Sequence, residues 1–345
     1  MDTLASLPKA HLHLHFTGSL SVPTLQGLAD ARGIELPPQL VDSIALDVPA
    51  DKRGWFRFQR FYDIARAAVK GEDALRTVVR SAAREDAAEG SRRLELQVDP
   101  TSYASSVGGL QPALEIICDE ARSASTETGV QVGIVVAASR IRHPFDARTL
   151  ARLAARHAGQ GPGEVCAFGL NNNEWEGDTA EWDGAFRIAR RAGLPGVPHG
   201  GELRGPEHLA EVVEHLQPTR IGHGVRAAED PALLARLVDA GIAFEVCPAS
   251  NVHLGVYPTL ADVPLRTLLD AGARVALGAD DPLLFLSRLV DQYATAQAVH
   301  GLSDAELAGL ARASIEASFA ADDDKRRWLS EVDAWLRPQS PPPCG

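Results

Sequence analysis

Three histidines, His11, His13 and His15, occupy alternate positions near the start of the chain, in the segment PKAHLHLHFTG (residues 8–18). Alternation with a period of two is typical of one face of a β-strand, so the three imidazole rings are predicted to point the same way. Rings on one face repel one another when protonated and need hydrogen-bond partners when neutral, and a metal ion satisfies two of them at once. A polar strand face with hydrogen-bonded histidines is the alternative, and this segment alone does not decide between the two.

Three later segments carry histidines and acidic residues at the ends of short apolar runs. They are PHGGE (198–202), RIGHG (220–224) and ALGADDP (276–282). Each by itself is typical of an ordinary turn or helix N-terminus. Together, three imidazoles and one carboxylate fit a mononuclear Zn²⁺ site with a position left for water, whose pKa the metal lowers towards about 7. A carboxylate off the metal, such as Glu202, can move a proton, and a further imidazole, His223, can hold or deprotonate the water.

Eight strand-like runs alternate with helical patterns along most of the chain. The runs span 9–16, 92–99, 130–138, 164–171, 194–200, 219–224, 242–250 and 273–281. The predicted helices include 75–90, 146–158, 183–193, 206–216 and 230–241, and the helix-ending glycines are Gly193, Gly241 and Gly272. This alternation predicts an α/β protein with a single (β/α)8 TIM barrel. Such a barrel builds its active site at the C-terminal ends of its strands, so the histidine and acidic residues are expected to meet at one mouth.

Two segments break this alternation and are predicted to add helices to the barrel. Residues 37–74 lengthen the connection after the first strand and should cover one mouth, and residues 302–336 should form terminal helices outside. We therefore predict one metal-dependent domain over 1–336 and a flexible, proline-rich tail over 337–345. No Walker A motif, G-x-G-x-x-G fingerprint or G-x-S-x-G elbow occurs, which argues against P-loop, Rossmann and serine-hydrolase chemistry.

The composition is that of a globular enzyme: the chain has 345 residues, of which 45% are hydrophobic and 23% charged. Its formal net charge of −12 argues against a nucleic-acid partner, which requires a basic surface. The four cysteines are scattered without C-x-x-C spacing, which favours a reducing compartment. Neither a signal-peptide pattern nor a run of 18 apolar residues is present. These features predict a cytoplasmic protein with no membrane partner.

The four motifs together resemble the adenosine deaminase family, a group of zinc-dependent (β/α)8 enzymes. In chain order they are H-L-H at 13–15, H-G-G-E at 199–202, R-I-G-H-G at 220–224 and A-D-D-P at 279–282. The resemblance extends over residues 7–335. It implies hydrolytic removal of the 6-amino group of a purine nucleoside or base, a small-molecule substrate, with release of ammonia.

The resemblance also assigns roles to individual residues. The implied ligands of one Zn²⁺ per chain are His13, His15, His199 and Asp280. The implied catalytic residues are Glu202, which protonates purine N1, His223, which orients the attacking hydroxide, and Asp281, which contacts N7. Structural roles are predicted for His11, Ser250 and Asn251.

Substrate binding is where this sequence departs from the family pattern. The implied substrate-binding residues are His15, Thr17, Phe58, Phe61, Asn172, Gly201 and Asp281. Thr17 stands where relatives that act on adenosine usually carry an Asp that contacts the ribose 5′-hydroxyl, and where many deaminases of free adenine carry Glu. A neutral threonine holds that hydroxyl more weakly. Asn172 and Gln97 stand where relatives often have Gly and Arg. The aromatic segment 54–67 is implied to form a helical lid with Phe58 or Phe61 facing substrate, although its spacing is also typical of a core helix.

These observations predict a zinc-dependent deaminase of adenosine or 2′-deoxyadenosine. The alternatives of the same chemistry are a deaminase of a 5′-modified adenosine, such as aminodeoxyfutalosine, and a deaminase of free adenine. AMP is a disfavoured substrate because the mouth motifs contain no basic cluster for a phosphate. A metal-dependent barrel hydrolase of phosphoesters or amides is the alternative from a different class. It is expected to need a second metal and a bridging lysine or carboxylate, and no lysine lies near the fourth strand.

Overall fold

A computed structural model describes residues 2–42 and 44–337 of the chain. Eight parallel strands form a nearly closed barrel in which each strand pairs with the next along the chain. The strands are β1 (Lys9–His15), β2 (Ser91–Val98), β3 (Gln131–Ser139), β4 (Val165–Asn171), β5 (Gly196–Gly200), β6 (Arg220–His223), β7 (Ala243–Val246) and β8 (Arg274–Leu277). The predicted α/β barrel is therefore confirmed.

Helices surround the barrel and cover its mouth. The α-helices are α1 (Asp2–Ser6), α2 (Val22–Asp30), α3 (Pro38–Val41), α4 (Lys52–Ala68), α5 (Glu72–Ala88), α6 (Leu110–Thr128), α7 (Pro144–Arg156), α8 (Asp183–Arg191), α9 (Pro206–Leu216), α10 (Pro231–Asp239), α11 (Pro248–His253), α12 (Leu265–Asp270), α13 (Pro282–Phe285), α14 (Leu289–Ala298), α15 (Asp304–Ala317) and α16 (Asp322–Trp335). Short 3₁₀ helices span Pro100–Ser102, Ala104–Ser106, Thr179–Trp182, Val225–Glu229 and Leu260–Asp262. Within the described residues, none of the helices combines the length and apolarity needed to cross a membrane.

The strands are buried on both faces, as the helix-covered strands of a parallel barrel must be. Every residue of β3 except Gln131 is buried, which agrees with the nearly continuous apolar sequence of this strand. The helices outside are amphipathic: α5 buries Leu75, Val78, Val79 and Ala82, which share one face at a spacing of three and four residues. This packing holds the strand ends, and the side chains they carry, in fixed positions.

The barrel closes where β1 meets the residues directly after β8. The backbone N–H of His15 donates to the carbonyl of Asp280 at 3.0 Å, and the N–H of Asp280 donates to the carbonyl of His13 at 3.1 Å. The last strand is thereby sealed against the first, and Asp280 lies directly beside the two histidines. Helix α15 packs outside this seam against β1 and β8, as predicted for the terminal helices.

Two predicted strands end earlier than their apolar pattern suggests. The strand predicted over 242–250 ends at Val246, because Pro248 begins α11 at a position that suits proline. The strand predicted over 273–281 ends at Leu277, and Pro282 then begins α13. The three predicted helix-ending glycines all have left-handed backbone, at φ 80°, 70° and 81° for Gly193, Gly241 and Gly272. Of the predicted tail, residues 338–345 lie outside the described residues.

The first strand does not keep the alternation that its three histidines suggest. The register between β1 and β2 shifts between His11 and Leu14. His11 Nδ1 lies 3.0 Å from Asp86 Oδ1 of α5, and its Nε2 accepts a hydrogen bond from the backbone of Ala279 at 3.1 Å. The prediction that all three rings point the same way is therefore wrong for His11. His11 holds α5 against the seam of the barrel, whereas His13 and His15 face the mouth.

Candidate functional site

Four buried side chains from four strand ends converge at the C-terminal mouth of the barrel. His13 of β1, His199 of β5, His223 of β6 and Asp280 after β8 each offer one ligand atom, and these atoms lie within 4.8 Å of one another. His15 adjoins the same group, with its Nε2 3.2 Å from His199 Nε2 and 3.1 Å from Asp280 Oδ1. The structure therefore brings together all the residues predicted as metal ligands. Imidazole nitrogens combined with one carboxylate are a donor set that a divalent transition metal prefers.

One ring nitrogen in this group is left ready for a cation. The Nδ1–H of His13 donates to Glu245 Oε2 at 2.8 Å, whereas its buried Nε2 makes no well-aligned hydrogen bond among the described residues and lies 3.4 Å from Asp280 Oδ1. Burial alone would lower the pKa of His13, but the carboxylates of Asp280 and Glu245 outweigh it and raise the pKa to about 10. The two carboxylates thus favour positive charge at this ring, and a metal ion at Nε2 supplies it as well as a proton does.

Glu245 belongs to a buried network of ion pairs beneath the histidines. Arg220 donates to Glu245 Oε1 at 2.6 Å and to Glu95 Oε2 at 2.7 Å, and Arg93 donates to Glu95 Oε1 at 3.1 Å. Burial alone would raise the pKa values of both carboxyl groups, but the guanidinium groups lower them, so both stay ionised. The network connects β2, β6 and β7 and fixes the ring orientation of His13. No local sequence motif indicates this network, and the sequence analysis did not predict it.

Substitution of Glu245 tests this support. Glu245→Gln is expected to weaken metal binding about 10- to 100-fold, because the His13 ring loses the anionic acceptor that fixes its tautomer and raises its basicity. A competition titration against a chelator of known affinity measures the change. Glu95→Gln is the matched control, since it removes the other carboxylate bound to Arg220 without touching His13. If both variants weaken metal binding equally, the network affects the metal site only through the overall stability of the protein.

Glu202 faces His223 on the cavity side of the group. Glu202 Oε1 lies 3.5 Å from His223 Nε2, and both side chains are buried. Burial, followed by the negative charges of Asp280 and Glu174, raises the pKa of Glu202 well above its usual value. Burial lowers the pKa of His223 to about 3. The site therefore places a carboxyl group whose protonated form is favoured beside a neutral imidazole, which is the pairing that a general acid and a water-orienting base require.

The loop that carries Glu202 is held by a second buried carboxylate. Glu174, which is fully buried after β4, accepts backbone hydrogen bonds from Glu202, Leu203 and Arg204 at 3.3, 2.8 and 2.7 Å. Three donors on one carboxylate fix the turn that follows β5. Glu174 therefore positions Glu202, and its charge also contributes to the raised pKa of Glu202. The sequence analysis assigned Glu174 no role.

The pKa values of the adjacent residues Asp280 and Asp281 are shifted in opposite directions. Burial would raise the pKa of Asp280, but hydrogen bonds from His13 and His15 lower it well below its usual value. Burial and the charge of Asp280 raise the pKa of Asp281 well above its usual value. Asp281 Oδ1 has no partner among the described residues, and a Cβ at Gly18 would lie 1.7 Å from it. A glycine is therefore required beside this protonated carboxyl group, which can donate a hydrogen bond into the cavity.

Two residues predicted to be merely structural hold members of this group. Ser250 Oγ donates to Asp280 Oδ2 at 2.5 Å, and Asn251 Nδ2 lies 3.4 Å from His223 Nδ1. Both come from α11, the helix that replaces the predicted end of the seventh strand. Helix α11 therefore orients the Asp280 carboxylate and the His223 imidazole. The prediction of a strand over this segment could not have given these two contacts.

Three residues of the site adopt left-handed backbone that residues other than glycine rarely adopt. Their φ angles are 76° for Asn172, 61° for His223 and 60° for Asp280. Such conformations cluster at functional sites, where the surrounding structure holds them. Asparagine tolerates this conformation best among non-glycine residues, which explains how Asn172 replaces the glycine common at this position. Its side chain donates to Gln59 Oε1 of α4 at 3.2 Å and so ties the end of β4 to the covering helix.

A cavity of about 800 Å³, its open mouth included, leads from the histidine group beneath α4. A volume of this order is typical of small-molecule sites. The predicted substrate-binding residues His15, Phe58, Asn172 and Asp281 line it. Helix α4 also contributes Gln59, Tyr62 and Arg66. The sequence analysis predicted this lid from the family resemblance, whereas it interpreted the spacing of the aromatic residues as equally typical of a core helix.

Thr17, Phe61 and Gly201, also predicted to bind substrate, are not among the lining residues. Thr17 is fully buried and its Oγ1 lies 2.6 Å from the hydroxyl of Tyr103, which does line the cavity. Phe61 packs against the hydrophobic core, as the alternative of a core helix anticipated. The carbonyl of Gly201 accepts a backbone hydrogen bond from Arg226. Direct contact between Thr17 and a substrate would require its hydroxyl to leave Tyr103.

Comparisons with known proteins agree on one family. The family model described as adenosine deaminase matches residues 8–335. A protein from Streptomyces virginiae named putative adenosine/adenine deaminase is 54% identical over 96% of this chain and 98% of its own length. The adenine deaminase of Agrobacterium fabrum is 33% identical over 94% of this chain and 98% of its own. The crystal structure of adenine deaminase from Arthrobacter aurescens superposes with a TM-score of 0.86 at 29% identity, covering 96% of this chain and 99% of that one.

Proposed function

The chain belongs to the adenosine deaminase family, and from this premise we propose that it is a Zn²⁺-dependent deaminase of adenosine and 2′-deoxyadenosine. The observation that carries the proposal is a single cavity that holds a buried group able to bind a metal together with Glu202 and His223. The products are inosine or 2′-deoxyinosine and ammonia.

The metal ligands we propose are His13, His15, His199 and Asp280. His15 is assigned as a ligand because its Nε2 lies 3.1 Å from Asp280 Oδ1, whereas His223 Nε2 lies 3.9 Å from Asp280 Oδ2 and closer to Glu202. A set of imidazoles with one carboxylate fits Zn²⁺, as it fits other divalent transition metals. When bound, Zn²⁺ supplies Lewis-acid activation of water at neutral pH.

The protein side chains bind the purine, orient the attacking water and transfer the protons of the reaction. Glu202, protonated before substrate arrives, transfers its proton to purine N1 and so makes C6 electrophilic. His223 is neutral and lies within reach of the water that attacks C6, which it orients. Asp281 is protonated and donates a hydrogen bond to N7, an acceptor. Of the two protons that the attacking water gives up, one passes to the 6-amino group, which leaves as ammonia when the C6–N6 bond breaks, and the other restores the protonated form of Glu202.

Free adenine is the second candidate substrate, because two similar proteins carry the name adenine deaminase. The extent of the cavity favours a nucleoside. Its lining continues from the histidine group to Gln97 on β2 and to Ser139 at the end of β3, beyond the residues proposed to contact the base. A free base would leave this part of the cavity filled only with water.

Steady-state deamination of a substrate series tests the proposal. Adenosine, 2′-deoxyadenosine and adenine are compared side by side. We expect kcat/KM for the two nucleosides to exceed that for adenine at least about tenfold, because the sugar adds one or two hydrogen bonds to the protein. The absorbance change of the purine ring and the release of ammonia give independent readouts. A preference for adenine would establish the second candidate, and the absence of turnover of all three would contradict the proposed function.

A further inference from the structure

We propose that Phe319, at the end of the barrel opposite the mouth, is a positioning residue for the metal ligand His13. It acts through Arg220 and Glu245, which connect the two ends of the barrel. We call residues 317–319, at and just after the end of α15, the basal segment. The inference rests on the proposed function, because it concerns the metal site that this function requires.

Arg220 lies at the end of its strand that is remote from the mouth. It is the first residue of β6, whereas His223, which faces the mouth, is the last. Its side chain crosses the barrel interior, because it donates to Glu95 of β2, a strand on the opposite side of the barrel. Arg220 is 1% exposed, so its orientation is set by protein contacts rather than by solvent.

The basal segment fixes the guanidinium group of Arg220. The Nη1 atom donates to the backbone carbonyl of Ala317 at 2.8 Å, and the Cζ atom lies over the ring of Phe319, 3.9 Å from its centroid. The backbone N–H of Phe319 donates to Glu95 Oε1 at 2.7 Å. A guanidinium group is planar, so a hydrogen bond at one of its nitrogens and an aromatic ring on its face together determine where its Nε points.

The Nε of Arg220 points to Glu245, and this one carboxylate joins Arg220 to the metal ligand. Glu245 Oε1 accepts from Arg220 Nε at 2.6 Å, and Glu245 Oε2 accepts from His13 Nδ1 at 2.8 Å. Because both oxygens belong to one rigid group, a rotation of the guanidinium also moves the acceptor of His13. Loss of a carboxylate that holds a metal-bound histidine typically weakens metal binding about 10- to 100-fold. A contact one step further from the metal is expected to have a smaller effect in the same direction.

The basal segment is held on the barrel by both of its flanking helices. Helix α15 packs against β1 and β8, and its Ser314 hydroxyl accepts a hydrogen bond from the backbone N–H of Ala10 at 3.0 Å. In α16, Asp324 accepts a hydrogen bond from Gln131 of β3 at 2.8 Å. The ring of Phe319 is half-buried and packs against a small apolar cluster of β3, β4 and β5. The terminal helices therefore hold this ring in a defined position beside Arg220.

The metal affinity of Phe319 variants tests this role. Phe319→Leu keeps an apolar side chain but removes the aromatic face. We expect it to lower the affinity for Zn²⁺ about three- to tenfold, the range that one buried cation–π contact supplies. Phe319→Tyr retains the ring and should bind Zn²⁺ as the wild type does. Competition of the full-length protein with a chelator of known affinity measures these values.

A double-mutant cycle with Glu245→Gln shows whether the effect passes through this carboxylate. In the Glu245→Gln background, Phe319→Leu should lower the Zn²⁺ affinity much less than it does in the wild type, because the connection to His13 is already weakened. Equal losses in the two backgrounds would overturn the inference, since Phe319 would then act by a route that does not include Glu245.

Two controls separate positioning from overall stability. Phe145→Leu removes an aromatic ring from another arginine, Arg148, whose Cζ lies 4.8 Å from the ring centroid, and neither residue lines the cavity. Leu150→Ala truncates a buried side chain of α7, between two strands that carry no proposed ligand, and should lower Tm at least as far as Phe319→Leu does. Neither control should change the Zn²⁺ affinity. A comparable loss of affinity in Leu150→Ala would attribute the effect of Phe319→Leu to stability and overturn the inference.

Nuclear magnetic resonance of His13 gives a readout that requires neither metal nor turnover. In metal-free protein, the signal of the Nδ1 proton of His13 is assigned by its absence in His13→Gln. Phe319→Leu should shift this signal, whereas Phe145→Leu should leave it in place, and an unchanged signal in Phe319→Leu would overturn the inference. If the wild type binds no Zn²⁺ or deaminates no substrate, the proposed function fails. A shift in Phe319→Leu that is absent in Phe319→Tyr would still support the coupling of Phe319 to His13.

Discussion

Replacement of Asp280 by alanine is expected to remove both the bound metal and the deaminase activity. Asp280 is the only carboxylate in the compact ligand group of the described residues, and it lies 3.4 Å from His13 and 3.1 Å from His15. Without it the remaining ligands are neutral imidazoles, which do not offset the charge of a divalent ion in a buried site. Loss of the metal removes the activation of water at neutral pH, so kcat should fall to the background rate.

Metal analysis by mass spectrometry measures this outcome directly. Wild-type protein should hold about one Zn²⁺ per chain, as a mononuclear site requires. His13→Ala should lose most of it, as Asp280→Ala does. The control is His157→Ala, which removes a half-buried histidine outside the cavity. Two tightly bound metals per chain, or full metal content in both ligand variants, would contradict the proposed site. A chelator should inactivate the wild type, and added Zn²⁺ should restore it.

Glu202→Gln is expected to separate binding from chemistry. Glutamine has nearly the same shape and can still donate a hydrogen bond to purine N1, but it cannot transfer a proton. Metal content and KM should therefore stay close to wild type, while kcat falls about 10²- to 10⁴-fold, the range for loss of a general acid. Burial and two neighbouring carboxylates raise the pKa of Glu202, which favours having the proton in place before substrate binds.

The matched control is Glu207→Gln, which makes the same chemical change at an exposed position of α9, outside the cavity. Its kinetic constants should equal those of the wild type. An activity of Glu202→Gln within a few-fold of wild type would show that another group donates the proton. A loss of metal in this variant would instead place Glu202 among the ligands, since its carboxyl group lies only 3.5 Å from His223.

The barrel could be predicted because each strand and helix carries its own local pattern. Helix α9 spans Pro206–Leu216, as its sequence pattern indicates, and the left-handed glycines end helices where expected. The candidate ligands could be predicted because they follow strands whose C-terminal ends must meet in such a fold. What local patterns could not give was the register of β1, whose shift turns His11 away from the other two rings.

The supporting residues could not be predicted because their partners lie far away in sequence. Glu245 acquires its role from His13 and Arg220, and Glu174 acquires its role from the loop after β5. The local sequence around a glutamate in an apolar strand does not indicate which distant residue its side chain will contact in the closed barrel.

The seam between the two ends of the barrel also has a consequence for synthesis on the ribosome. His13 and His15 emerge well before Asp280, which both seals β1 and completes the proposed ligand set. Until Asp280 emerges, the nascent chain presents β1 as an open edge, with imidazoles that lack their carboxylate. Capture of the proposed metal by the complete ligand set is therefore expected only after Asp280 has emerged, and a chain that ends before Asp280 would lack both this seam and this ligand.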